Sequence, residues 1–80
     1  IAESDEQLIY RMAARDEAAL TELYRRYGPY LGALSRRMLG AHGDVQGCVQ
    51  DTFVRAWEAA GRFDPGRASA KTWLVTISHR

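Results

Sequence analysis

Two groups of residues in this sequence have the types and spacing to do chemistry. In the first, Gln46 and Gln50 stand four residues apart, as do Asp51 and Arg55. On a helix each pair shares a face. Amides and opposite charges arranged this way can form reversible hydrogen bonds and ion pairs with a partner helix, and the same pattern also serves as a plain solvated surface. In the second group, Arg62, Arg67, Lys71, His79 and Arg80 surround Phe63 and Trp73. Guanidinium groups neutralise phosphates and flat rings accept unstacked bases, so this segment has the makings of a surface that tracks single-stranded nucleic acid. Trp73 shares its helical face with Ile77, which is a core reading. Lys71 and Arg80 lie off that face and are the better phosphate contacts.

Other chemistries lack their residues. His42, His79 and Cys48 are scattered, with no Cys-x-x-Cys and no paired histidines at helical spacing, so neither a metal nor another cofactor is implied. Gly40, Gly43 and Gly47 follow no strand and read as helix punctuation rather than a phosphate loop. No Ser/His/Asp trio is fixed by spacing, and the expectation is a binding module, not an enzyme. Length agrees: 80 residues allow one small domain, too short for a two-lobed enzyme. With 46% hydrophobic and 26% charged residues the chain has the composition of a folded globular domain. No apolar run nears the roughly 18 residues of a membrane span, and a single cysteine fits a reducing cytoplasm. The net charge of +1 hides a gradient. Residues 1–24 set Arg11 and Arg15 against six acids, a local −4, whereas residues 25–80 carry nine bases and four acids, +5. The chain starts at Ile1 without methionine and reaches Arg80 with no helix stop signal, and is expected to be an excised piece of something longer.

The elements that must position these residues are helical throughout. Ser4 and Gln7 make a capping box for a short first helix with Leu8, Ile9 and Met12 on its apolar stripe. Asp16 can cap the second helix. There Leu20, Leu23, Tyr24, Tyr27, Leu31, Leu34 and Met38 keep one apolar phase across Gly28-Pro29, which predicts one long kinked helix. Gly40 ends it as a left-handed cap, and Asp44 opens a third helix whose buried stripe is Val45, Val49, Phe53, Ala56, Trp57 and Ala60. Asp64-Pro65-Gly66 is a turn, and Ser69 caps a fourth helix with Trp73, Leu74 and Ile77 on its apolar face. The expected fold is an all-α compact bundle of three main helices plus a short N-terminal one.

The runs Val49-Gln50-Asp51-Thr52-Phe53-Val54-Arg55-Ala56-Trp57, Arg62-Phe63-Asp64-Pro65-Gly66 and Thr72-Trp73-Leu74-Val75-Thr76-Ile77-Ser78-His79-Arg80 resemble region 2 of bacterial sigma factors, most of all the extracytoplasmic-function group. Asp5-Glu6-Gln7-Leu8, Arg15-Asp16-Glu17-Ala18-Ala19 and Leu23-Tyr24-Arg25-Arg26-Tyr27 extend the resemblance over nearly the whole chain. The resemblance divides the single domain of residues 1–80 into a region 2.1-like part at about 4–41, a region 2.2-like part at 44–60 and an incomplete region 2.3-like part at 62–80. It implies that the third helix docks on the clamp helices of the RNA polymerase beta-prime subunit, with Gln50 and Asp51 as main contacts and Gln46, Val54 and Arg55 beside them. It also implies that the last segment, through Arg62, Arg67, Lys71, Trp73, His79 and Arg80, helps open the promoter and holds the non-template strand of the minus-ten element. An anti-sigma protein covering these surfaces is the further partner implied, and a membrane is not. The competing readings are a helical interaction module that touches no DNA and a small RNA-binding module.

The chain departs from the family pattern at Gly47, where an acidic residue is usual; Asp44-Val45-Gln46-Gly47 keeps only the first acid. Glycine inside a helix costs about 1 kcal/mol relative to alanine, and a polymerase contact is lost with the acid. The remainder of region 2.3, region 2.4 and the helix-turn-helix domain that reads the minus-thirty-five element do not occur in the 80 residues.

Overall fold

In the computed structural model, which describes residues 2–79, each helix starts where a short polar side chain satisfies amides that the first turn leaves unpaired. Helix α1 (Asp5–Ala13) begins at Ser4. The Ser4 hydroxyl accepts from the Gln7 N–H at 3.1 Å, and the Gln7 side chain accepts from the Ser4 N–H at 3.0 Å, closing the expected capping box. Asp16 caps α2 (Glu17–Leu39) through the Ala18 N–H at 3.1 Å, and Asp44 caps α3 (Val45–Ala59) through the Gly47 N–H at 2.9 Å. Ser69 caps α4 (Ala70–Ser78) through the Thr72 N–H at 3.1 Å.

Helix α2 runs unbroken through Pro29, as the continuous apolar phase predicts. It stops at Gly40, whose φ of 74° and ψ of −165° lie in a region essentially confined to glycine. This differs from the left-handed helical well expected of the cap, although the positive φ is the same. A 3-10 turn, η1 (Ala60–Arg62), prolongs α3 and was not legible beforehand. At the next turn the Arg67 N–H reaches the Asp64 carbonyl at 3.0 Å, and the Asp64 carboxylate accepts from the Gly66 N–H at 2.9 Å. Gly66 stays out of the positive-φ region, so the turn needs its aspartate and proline more than its glycine.

The core draws on every helix: Leu8, Ile9 and Met12 from α1, Leu23 and Leu31 from α2, Val49, Phe53 and Ala56 from α3, and Leu74 from α4 are all buried. Burying each large side chain is worth roughly 1.5–3 kcal/mol. The expected α2 face needs correction. Tyr24 and Met38 are exposed, and the interior positions are Ala19, Leu23, Leu31 and Ser35. Helix α3 crosses at Gly32 and Ser35, where Val49 meets Gly32 and the Cys48 sulfur lies 3.7 Å from the Ser35 hydroxyl, so small residues occupy the seam. Met38, in the last turn of α2, is 58% exposed.

Ion pairs pin α1 to α2. Asp5 accepts from Arg26 at 2.9 Å and from the Tyr27 hydroxyl, while Glu22 accepts from Arg25 at 2.6 Å and Arg26 at 2.9 Å. Arg11 bridges Glu3 and Asp16. Hydrogen bonds from Arg25 and then Arg26 draw the Glu22 carboxyl down to about 2, and the bond to Asp5, with burial second, pushes the Tyr27 phenol up to about 12. Much of the acidic start is therefore neutralised locally. Among the described residues there is no strand, and no helix is long and apolar enough to cross a membrane.

Candidate docking and nucleic-acid interfaces

The side of α3 away from Val49, Phe53 and Ala56 carries Gln46, Gln50, Asp51, Val54 and Arg55, and all five are exposed. Their positions follow from helical geometry: residues one turn apart share the outer side, while the i, i+3, i+4 apolar positions turn inward. Asp51 and Arg55 pair at 2.9 Å along the helix. An exposed pair of this kind contributes little to stability. Val54 is 55% exposed, an apolar side chain set among polar ones.

Beside this face runs a groove of about 510 Å³ between α2 and α3, lined by Leu20, Tyr24, Phe53, Val54 and Trp57 together with Glu17 and Gln50. Tyr24 leans on Phe53 with ring centroids 4.8 Å apart. Gln50 and Val54 belong both to the polar face and to the groove, so the two surfaces are continuous. The expected core residue Trp57 is only partly buried, its ring serving as one wall.

The basic segment splits in two. Arg62, Arg67 and Trp73 gather with Thr76 around a hollow of about 320 Å³ whose rim includes Asp64. Trp73 meets Phe63 edge-on at 5.0 Å and is half-buried, so its ring is a packed wall with one open side. Lys71 lies on the other edge of α4, its ammonium 4.4 Å from the centroid of the Tyr30 ring on α2. That contact ties α4 to α2 and takes Lys71 away from the arginines. His79 is exposed, and its Nδ1 donates to the Val75 carbonyl at 2.7 Å, because a carbonyl can only accept. Arg80 lies outside the described residues. Among the described residues no group of three His, Cys, Asp or Glu side chains is arranged to hold a metal ion.

One residue escaped sequence reasoning. Arg15, in the turn between α1 and α2, is the only non-glycine residue with positive φ (67°) among those described. That conformation costs roughly 1–2 kcal/mol. Its Nη1 donates to the Trp57 carbonyl at 2.7 Å, and its guanidinium carbon lies 5.0 Å from the Trp57 ring centroid. The bonded carbonyl is in the last turn of α3, where helical donors run out. Nothing in residue type announced this: arginine has no preference for positive φ, and 42 positions separate the pair.

Comparison with known proteins gives a consistent picture. The family described as Sigma-70 region 2 matches residues 23–80. The ECF RNA polymerase sigma factor RpoE of Cereibacter sphaeroides is 36% identical over 64 residues, which is 80% of this chain and 35% of that protein. The ECF RNA polymerase sigma factors SigK of a Mycobacterium species (strain KMS) and of Mycobacterium tuberculosis are each 33% identical over 73 residues, 91% of this chain and 38% and 39% of theirs. The chain thus spans little more than a third of the length of these relatives. No solved structure matches it.

Proposed function

The chain belongs to the Sigma-70 region 2 family, and from that premise we propose that it is the polymerase-docking and promoter-opening module of an extracytoplasmic-function sigma factor, working in the cytoplasm. In this reading residues 4–41, 44–60 and 62–80 act as regions 2.1, 2.2 and 2.3. The outer side of α3 docks on the clamp helices of the polymerase beta-prime subunit. Gln50 and Asp51 make the main contacts, and Gln46, Val54 and Arg55 flank them.

The observation that supports this most is the exposure of all five residues along one side of a helix whose other side is core. Such a helix can exchange a hydrated surface for a partner without disturbing its own packing. The amide of Gln50 offers both a donor and acceptors, and the Asp51–Arg55 pair can open toward opposite charges on the partner. The module itself transfers no proton or phosphoryl group. Bond formation is the polymerase's work, and this domain supplies position.

For DNA, Arg62 and Arg67 neutralise backbone phosphates of the non-template strand of the minus-ten element, with Trp73 as the wall of the hollow between them and Thr76. Lys71, His79 and Arg80 extend the contact along and beyond α4. An anti-sigma protein that silences the factor would cover these surfaces. A helical interaction module without DNA binding is the competing reading, and the packing of Trp73 on Phe63 favours it.

Retention on RNA polymerase core tests the docking reading. Gln50→Ala combined with Asp51→Ala is expected to lower affinity at least about tenfold, the scale of losing two charge-assisted or amide contacts at an interface, with helicity by circular dichroism unchanged. Equal retention of the double variant would refute the assignment.

A further inference from the structure

Arg15 keeps a backbone conformation that an arginine rarely adopts, and such an outlier persists only where its surroundings hold it. Its guanidinium makes both of its recorded contacts with one residue, Trp57. Trp57 in turn walls the groove that Gln50 and Val54 share with the outer side of α3. We propose that Arg15 is a positioning residue for polymerase docking: it holds the Trp57 ring and the last turn of α3 so that the α2–α3 groove receives an apolar side chain of the polymerase element that contacts Gln50. This rests on the docking reading given above.

The occupant follows from the lining and from continuity with that face. Leu20, Tyr24, Phe53, Val54 and Trp57 line the groove largely with carbon, and Glu17 is the one charged residue of the lining. An anionic side chain entering the groove would lose its water and meet Glu17 and aromatic faces, whereas an aliphatic one would cover Val54 and the Trp57 ring together. Because Gln50 lines the same groove, a helix that hydrogen-bonds it presents its neighbouring side chains to the groove. Arg15 is exposed and stands outside this contact. It acts through the ring it lies against.

The test separates positioning from mere stabilisation. In a Trp73→Phe background Trp57 is the only indole. Arg15→Gly, which accepts the positive φ while removing the side chain, is expected to shift Trp57 emission to the red and raise its quenching by acrylamide. It is also expected to weaken binding to RNA polymerase core about two- to fivefold, the scale of an exposed cation–π contact. Arg15→Lys should recover most of both signals, since an ammonium can also sit over the indole. Trp57→Ala should weaken binding at least as much, and adding Arg15→Gly to it should cost less than Arg15→Gly costs alone, because only the bond to the backbone carbonyl of residue 57 is left to lose. Full affinity of Arg15→Gly, or additive losses in the double variant, would overturn the proposal while leaving docking intact, provided Gln50→Ala with Asp51→Ala still loses binding. If the unmodified chain fails to bind the core, docking and positioning fall together.

Discussion

Glu22 shows how far one side chain can be moved by its neighbours. Two arginines of the same helix hydrogen-bond its carboxylate, and the folded-state value of about 2 lies below the ordinary 4.5. A lowered carboxyl value means that the folded protein holds the ionised form more tightly than the unfolded chain does. Its contribution is therefore present above pH 4.5 and is lost as pH falls toward about 2. Glu22→Gln is expected to flatten the acid limb of the urea midpoint against pH across that window. An unchanged limb would show that other carboxylates govern acid unfolding. The charges of this network were visible in the sequence at helical spacing, but Arg15 was not. Its importance comes from a dihedral angle and from a partner in another helix, and neither leaves a local trace. Lys71 shows a related limit: proximity in sequence groups it with Arg62 and Arg67, whereas the α4 helix turns it to the opposite edge, onto Tyr30.

The elements were more legible than their faces. Ser4, Asp16, Asp44 and Ser69 cap the helices they were expected to cap, because capping is decided within three or four residues. The continuity of α2 through Pro29 followed from an apolar phase on both sides of the proline. Which side of α2 faces inward was harder, since the buried line leaves out Tyr24 and takes in Ser35, a rotation that only the crossing of α3 decides. The cap of α3 also bears on Gly47. A Cβ at that position would collide with the Asp44 carboxylate as it now sits, though a carboxylate at the end of a side chain can rotate away. Two effects then oppose each other: alanine favours the helix by up to about 1 kcal/mol, and a displaced cap loses about as much. Gly47→Ala alone is expected to change the urea-unfolding free energy by less than about 0.5 kcal/mol, yet to stabilise by ~0.5–1 kcal/mol when Asp44 is already alanine. The same gain in both backgrounds would show that the cap tolerates a side chain at 47.

At the scale of the molecule, the acidic beginning and basic remainder of the sequence become a folded surface with uneven charge. The recorded ion pairs engage Asp5, Asp16, Glu3 and Glu22 of the first part, so much of its negative charge is spent against Arg11, Arg25 and Arg26. Arg62 and Arg67 have no ion pair among the described residues and converge on one hollow. If they contact single-stranded DNA, replacing both with alanine should reduce the slope of log affinity against log salt by about 1.4, at roughly 0.7 per phosphate. Fluorescence anisotropy with a minus-ten oligonucleotide measures it, and an unchanged slope would favour the module that binds no DNA. Beneath this surface lies the long helix that every other helix meets. Asp5 of α1 holds it at Arg26 and Tyr27, before Pro29, whereas α3 packs on both halves, at Tyr24 before Pro29 and at Gly32 and Ser35 after it. Proline brings no amide, so the carbonyl one turn earlier, at Arg25, lacks its usual helical donor and the ladder has a missing rung between the two halves. Amide exchange across α2 should therefore fall into two blocks that open separately, the first guarded by α1 and α3 together.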